Sequence, residues 1–444
     1  MHNILERLFR LQEKGTSVKT ELLAGVTTFI ALAYIMFINP NILADAGIPK
    51  EAASAATIWI AALSSMAMGI CANYPVAMAP SMGLNAFFAY YVVGVLHLSW
   101  QTALGAVFFS GLLFLLLTMG GIRQSIINSV PPSLRDAISI GIGLFIAFIG
   151  LKGMGLIVAD SETYIALGRV MVPETLLPLF GFFVTIALMV HRVRGAILLG
   201  IIATTLLSMM TGYSPLPHDF RDIMSMQLPS MEETFLQLDI VEAWHYGIVS
   251  IIFTFTVVEL FNNMGTLIGL TSKAGLIQKA GLIQKDGQIE NIDKALTVDA
   301  VGTILSAVFG TSAASSYLES AAGIAAGGKT GLTAVTVGVL FLVALFFAPL
   351  ISLVPGMATA PALVIVGGIM MEDIVHIDFS DLTEGLPAFF TIIMMPLTSS
   401  IANGFAFGFI SYVLIKSAAG KLREVDKIMW GVSLAFLVNL VLRS

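Results

Sequence analysis

Apolar runs long enough to span a bilayer follow one another from Leu22 to Leu442, and this recurrence constrains the fold more than any motif does. A transmembrane helix needs about 20 predominantly apolar residues. Such runs fall at 21–43, 52–73, 77–96, 101–119, 136–151, 173–190, 195–212, 247–270, 294–310, 313–326, 331–353, 359–371, 382–396 and 399–417, with a further apolar stretch at 427–442. Only 11% of the 444 residues are charged, whereas a soluble domain carries about 25% to cover its surface. A chain this apolar puts its surface in lipid. The first run lacks an A-x-A-like cleavage site and many spans follow it, which reads as mature structure and not a removable signal. With one cysteine, Cys71, the chain can form no internal disulfide and no thiolate metal cluster.

The basic residues set the orientation. With the N-terminus inside, all but five of the 22 lysines and arginines (Lys50, Lys152, Arg169, Arg221 and Arg443) fall in cytoplasmic segments. Translocating basic loops is disfavoured, so this bias supports both orientation and span count. The 213–246 loop carries Asp219, Asp222, Glu232, Glu233 and Asp239 and reads as external. Seven spans precede it and seven follow. An odd number per half inverts one half against the other, an arrangement common among secondary transporters. Gly69–Ala86 and Ser306–Gly323 show a weak likeness that agrees with this. The tandem copies KAGLIQ at 273–278 and 279–284 are too short for a stacking repeat and read as a slipped duplication in a tolerant loop.

The expected fold is therefore an all-α polytopic membrane protein of about fourteen spans in a 7+7 inverted repeat. Its parts are a cytoplasmic N-terminus (1–20), a first repeat (21–212), the external loop (213–246), a second repeat (247–417) and a C-terminal segment (418–444).

Ionisable groups within spans are costly, so each needs a partner or a purpose. Glu259 and Glu319 stand out. Either could simply be paired or protonated inside the bundle, or one could bind substrate or a coupling proton. Glu319 lies in GTSAASSYLESAAGIAAGG, with Tyr317 and Leu318 beside it. Small residues there let the span break and expose backbone groups, which is tolerated only inside protein or along a cavity. The matching stretch of the first half, APSMGLNAFFAYY, contributes Pro80, Gly83, Asn85, Phe87 and Phe88, although either ring alone is explained by packing. Two broken elements in matching positions point to a central site. Glu259, Asn262, Asn263 and Thr266 share one helix face. That stripe is either interhelical glue or a surface for a ligand with both donors and acceptors, such as a heterocycle edge. Helix packing accounts for Asn39, Asn403 and the Thr27/Thr28 pair.

The histidines form no metal-ligand pair at usable spacing. Gly327-Gly328-Lys329-Thr330 lacks the order and the preceding strand of a phosphate-binding loop. Neither cofactor nor metal is expected, and without an ATP-binding motif the remaining energy source is an ion or proton gradient.

Six stretches together resemble the AzgA-like hypoxanthine–guanine–adenine permeases of the nucleobase/ascorbate transporter superfamily. They are GTSVKTELLAGVTTFIALAYIMFINP (15–40), APSMGLNAFFAYYVV (79–93), GIGLFIAFIGLKGMGLI (141–157), GTLIGLTSKAGLI (265–277), SSYLESAAGIAAGGKTGLTAV (315–335) and PAFFTIIMMPLTSSIANGFAFGF (387–409). The 141–157 and 265–277 stretches lean toward the bacterial adenine permeases. The resemblance implies a core domain at about 21–119 and 247–353 and a gate domain at about 134–212 and 359–417. It also implies short extended stretches crossing in spans three and ten beside the substrate. By this pattern Glu319 and Asn262 match the residues that face the base edge. The chain departs from its family at Phe261-Asn262-Asn263-Met264-Gly265-Thr266, where relatives resemble F-D-T-x-G-T. Asn262 cannot take up a proton, so coupling would fall to Glu259 or Glu319.

The expected substrate contacts are Gly83, Asn85, Phe87, Asn262, Asn263, Thr266, Tyr317, Leu318 and Glu319. The expected activity is purine:proton symport by alternating access in a bacterial inner membrane. Its partners are a purine nucleobase, protons and membrane lipid, with a homodimer allowed and no nucleic acid. The alternatives are an anion carrier of the same fold, a facilitative purine uniporter, and an intramembrane enzyme. The first would want a basic residue at the site. The last would need a nucleophile–base pair or facing metal ligands.

Overall fold

The computed structural model describes residues 2–120, 129–217, 219, 222–247, 251–272 and 291–443. The KAGLIQ duplication and the side chain of Asn262 lie outside the described residues. Eight described helices are long and apolar enough to cross a membrane: α1 (Val18–Asp45), α2 (Lys50–Ala72), α4 (Trp100–Met119), α5 (Pro132–Gly153), α6 (Pro173–Val190), α11 (Gly331–Ser352), α12 (Gly356–His376) and α14 (Ile401–Ala418). The other helices are α3 (Met82–Val93), α7 (Ala196–Met210), α8 (Phe253–Ser272), α9 (Ile292–Phe309), α10 (Ser320–Ala325), α13 (Leu382–Leu397) and α15 (Lys427–Arg443). Their outward faces expose Leu116, Phe183, Val190, Leu206 and Leu414, as a lipid-facing surface requires.

Side-chain caps begin several of these helices. Ser17, Ser99 and Ser400 each accept a backbone N–H from the first turn, satisfying donors that would otherwise be orphaned. Glu21, fully buried on α1, does the same across space. It accepts from the Lys329 and Thr330 amides at 2.9 and 3.2 Å and from Thr333 Oγ1 at 2.6 Å. A carboxylate at a helix N-terminus is favoured by the unpaired amides and the dipole there.

Glycines set how closely helices pack. A Cβ on Gly331 would lie 1.9 Å from the Gly69 carbonyl oxygen, and one on Gly367 2.2 Å from the Gly143 carbonyl oxygen. Such small residues let backbones approach where lipid supplies no hydrophobic drive. Two sets of packed helices result. In one, α11 lies against α1 and α2, and α4 against α9. In the other, α5 packs on α12 and α13, α13 on α14, and α6 on α7 and α12.

The expected extended stretches are present. β1 (Met78–Pro80) pairs antiparallel with β2 (Ala314–Ser316), in the register Met78↔Ser316, Ala79↔Ser315 and Pro80↔Ala314. Buried irregular backbone must find partners, and it does. Ser81 N donates to Ala313 O at 2.8 Å and Tyr317 N to Ala77 O at 3.1 Å. Ser65 Oγ accepts from Met78 N and donates to Met78 O, while Ser320 Oγ accepts from Ala77 N. Gly310, at φ +86°, turns the chain from α9 toward β2, and a Cβ there would strike Thr234 of the 213–246 loop at 2.3 Å.

A hairpin lies beyond the expected architecture, and the expected apolar stretch at 427–442 forms a helix. The hairpin pairs Ile157–Asp160 with Tyr164–Leu167, its turn held by Asp160 accepting from the Glu162 and Thr163 amides. The C-terminal α15 packs on α14, with Phe436 touching Phe405, Phe409 and also Phe253 of α8.

Candidate functional site

The β1–β2 pairing brings the two broken stretches to one place, and the expected residues divide according to what they meet there. Glu319 follows β2 and is partly exposed. Tyr34 of α1 donates its hydroxyl to Glu319 Oε1. Leu318 is 44% exposed, whereas the Tyr317 hydroxyl is committed to the Pro80 carbonyl at 2.5 Å. Tyr317 therefore fastens the crossing and offers no free hydroxyl.

On the first-half side, Gly83 lies against Ile142 of α5, where a Cβ would come within 2.9 Å. The Phe87 ring is fully buried, edge-on to Phe255 of α8 at 4.9 Å and stacked on Tyr91 at 5.3 Å. It joins α3 to α8. Asn85 donates through Nδ2 to Asn39 Oδ1 at 2.7 Å. Asn39, which the sequence assigns to packing, links α1 to Thr57 of α2, to Thr311 and to Asn85.

Of the α8 stripe, Glu259, Asn263 and Thr266 are buried. The Glu259 carboxylate accepts Ser110 Oγ of α4 at 3.0 Å and Thr303 Oγ1 of α9 at 2.5 Å. Thr303 also lies 3.1 Å from the Ala314 carbonyl of β2. Asn263, one turn on, is buried with neither amide atom partnered among the described residues, and Thr266 is 7% exposed. Glu259 is thus packed among α4, α8 and α9, one hydroxyl away from the crossing strand.

Sequence reasoning missed Asp299, fully buried on α9, where Ser316 of β2 directs its hydroxyl at 3.5 Å toward Oδ1. Its signal was the four-residue spacing to Thr303, which places both on one helix face. It missed Tyr34 as well, because nothing local marks a tyrosine that finds its carboxylate 285 residues away. Among the described residues no group of three or more His, Cys, Asp or Glu could hold a metal ion.

Many long apolar helices around two paired broken stretches mark a multi-pass membrane protein. The Xan_ur_permease model, described as a permease family, matches residues 19–442, and the chain belongs to that family. It is 42% identical over 438 residues to the adenine permease AdeP of Escherichia coli, covering 99% of this chain and 96% of that one. It is 40% identical over 441 residues to the guanine/hypoxanthine permease PbuO of Bacillus subtilis, covering 98% and 99%. The resemblance read from the six motif stretches is borne out. Among solved structures, the transmembrane domain of a cyanobacterial bicarbonate transporter, BicA, superposes with a TM-score of 0.65 at 16% identity, covering 89% of this chain and 97% of that one. That likeness shows a shared fold.

Proposed function

We propose that the chain carries purine nucleobases across a bacterial inner membrane together with protons, by alternating access. The relatives named for adenine and for guanine/hypoxanthine support the substrate class. The observation that carries the reading is the crossing itself. The β1–β2 pair joins the stretch that leads into Asn85 and Phe87 to the stretch that leads into Leu318 and Glu319. Glu319 would accept ring N–H groups, Phe87 and Leu318 would pack on the base, and Asn262, Asn263 and Thr266 would complete its edge. The α1–α4 and α8–α11 set would form the core domain, moving against a gate domain of α5–α7 and α12–α14. The fourteen-span inverted repeat and the cytoplasmic N-terminus belong to this proposal.

Thr303 offers a route for proton coupling. A hydroxyl has one hydrogen, and Thr303 faces two acceptors, Glu259 Oε1 and Ala314 O. When Glu259 is ionised, that hydrogen goes to the carboxylate. When Glu259 carries a proton, the acid donates to Thr303 Oγ1 and Thr303 donates to the β2 carbonyl. Protonation of Glu259 would therefore be felt as a hydrogen bond made to the crossing strand.

The test is uptake of radiolabelled adenine, hypoxanthine, guanine and uracil in a permease-deficient strain, with and without a protonophore. Protonophore-sensitive accumulation of a purine, with uracil excluded, is expected. Accumulation that ignores the protonophore would leave a uniporter or another driving ion. No purine uptake would remove the substrate class.

A further inference from the structure

A buried primary amide has an accepting end and a donating end, and its surroundings decide which way each faces. Asn39 and Asn85 are both fully buried. Asn39 Nδ2 lies 2.7 Å from Thr57 Oγ1 and 2.9 Å from Thr311 Oγ1. The Thr57 hydroxyl donates its only hydrogen to the Ala53 carbonyl one turn back, at 2.6 Å, as threonines within helices commonly do. Toward Asn39 it can then only accept, so the Asn39 group facing it must be the NH2. The oxygen end of Asn39 consequently faces Asn85 Nδ2 at 2.7 Å and Ser312 Oγ at 3.4 Å. Because an oxygen faces Asn85, its own NH2 must turn that way. Among the described residues Asn85 Oδ1 is left buried without a partner. A buried acceptor left unmade is costly, so something in the working protein should supply a hydrogen to it.

We propose that Asn39 is a positioning residue that fixes the polarity of Asn85, so that α3 presents an acceptor and the site selects bases carrying an N–H at that edge. The inference rests on the reading above, in which Asn85 touches the substrate. The order of bonds is directional: Ala53 carbonyl from Thr57, Thr57 from Asn39, Asn39 from Asn85, and Asn85 from the ligand. Glu319 is the second acceptor. A base that satisfies both must offer two donors on different edges, as adenine does with its exocyclic amine and its imidazole N–H. Asn39 and Thr57 never touch the ligand, yet they decide which end of Asn85 it meets.

The experiment is competition against radiolabelled adenine on the purified full-length chain, using 9-methyladenine and N6,N6-dimethyladenine, each of which blocks one donor edge. In the wild type at least one of the two should bind roughly tenfold or more weakly than adenine. The penalty on the analogue that blocks the donor facing Asn85 should vanish in Asn85→Ala, shrink in Thr57→Val and in Asn39→Ala, and persist in Thr57→Ser, which keeps the relaying hydroxyl. Penalties that for both analogues are equal in wild type and Asn85→Ala overturn the proposal, as do penalties that for both are undiminished in Thr57→Val or Asn39→Ala. Wild-type protein that binds both methylated bases as tightly as adenine overturns it without any variant. Wild-type protein that binds no adenine removes the purine reading itself, which is a distinguishable failure.

Discussion

Replacing Glu259 by glutamine tests proton coupling most directly, because the change keeps shape and removes only the capacity to ionise. Two hydroxyls converge on the carboxylate, Ser110 on Oε2 and Thr303 on Oε1. In Glu259→Gln, an NH2 placed toward Thr303 makes that hydroxyl accept, leaving its hydrogen for the Ala314 carbonyl 3.1 Å away. The variant then holds the bonding pattern of the protonated wild type at every pH. A hydrogen bond between neutral groups contributes about 0.5–1.5 kcal/mol net, and one to a charged group about 1.5–3. Switching Thr303 between its two acceptors thus couples Glu259 to the crossing strand by roughly 1–2 kcal/mol, or about 5- to 30-fold in an equilibrium. Linkage is reciprocal, so the same factor should separate proton affinity between substrate-bound and empty protein. The expected result is purine binding within about 30-fold of wild type, with its dependence on pH flattened between 5 and 8 and gradient-driven accumulation lost. Uptake across that range with and without a protonophore, beside equilibrium binding on purified protein, measures both. Wild-type-like, protonophore-sensitive accumulation by Glu259→Gln would refute the reasoning and leave Glu319 as the proton carrier.

Three further outcomes follow from the contacts. Glu319→Ala should weaken purine binding by about 5- to 150-fold, since a buried N–H on the base loses its acceptor at a cost of roughly 1–3 kcal/mol; Glu319→Gln should keep part of it, and wild-type affinity in the alanine variant would remove Glu319 from the site. Gly331→Ala places a methyl 1.9 Å from the Gly69 carbonyl, an overpacking that costs about 1–3 kcal/mol and should lower the melting temperature in detergent. At the 157–167 hairpin, hydrogen bonds from the Thr163 backbone and then the Glu162 backbone hold Asp160 below the usual carboxylate range. A depressed acid stabilises the folded turn above its unfolded pKa of about 3.9. Hydrogen-exchange protection of the hairpin should therefore be full at neutral pH, fall as pH drops through the lowered pKa, and be lost at every pH in Asp160→Ala.

The sequence disclosed what repeats along one dimension and concealed what depends on three. Spans were legible because lipid demands a length and a polarity from each stretch independently. The broken stretches were legible because Gly, Ala and Ser runs flank Pro80 and Glu319 in both halves. Partners of buried polar groups were another matter. Tyr34 reaches Glu319, and Asn39 reaches Thr311, across 285 and 272 residues; only the folded topology brings them together. Asp299 was hidden for a different reason. It lies near the charged start of α9, at Asp293 and Lys294, where a hydropathy pattern reads an acid as the edge of a span. Its burial comes from β2, which lays Ser316 against it.

The shared fold with a bicarbonate transporter makes the choice between anion and neutral base a question about side chains alone. An anion carrier must place positive charge or opposed helix N-termini where the ligand rests, since taking a charge from water costs several kcal/mol unless it is compensated. At this crossing the described groups are Tyr34, Asn39, Asn85, Phe87, Thr311, Tyr317, Leu318 and Glu319, with Glu259 and Asp299 behind them. None of these is basic, and three are carboxylic acids. Two lysines of this helix set are engaged elsewhere: Lys50 with the Ser352 and Val354 carbonyls, and Lys329 with the Lys14 and Gly15 carbonyls. An incoming anion would meet the Glu319 carboxylate, which on the proposed reading accepts a purine N–H. If Glu319→Lys or Glu319→Arg conferred electrogenic uptake of an anion while abolishing that of adenine, the charge of this one group would be shown to divide the two ligand classes. If the wild type carried an inorganic anion and ignored purines, the assignment of Glu319 as an acceptor for N–H groups would be wrong.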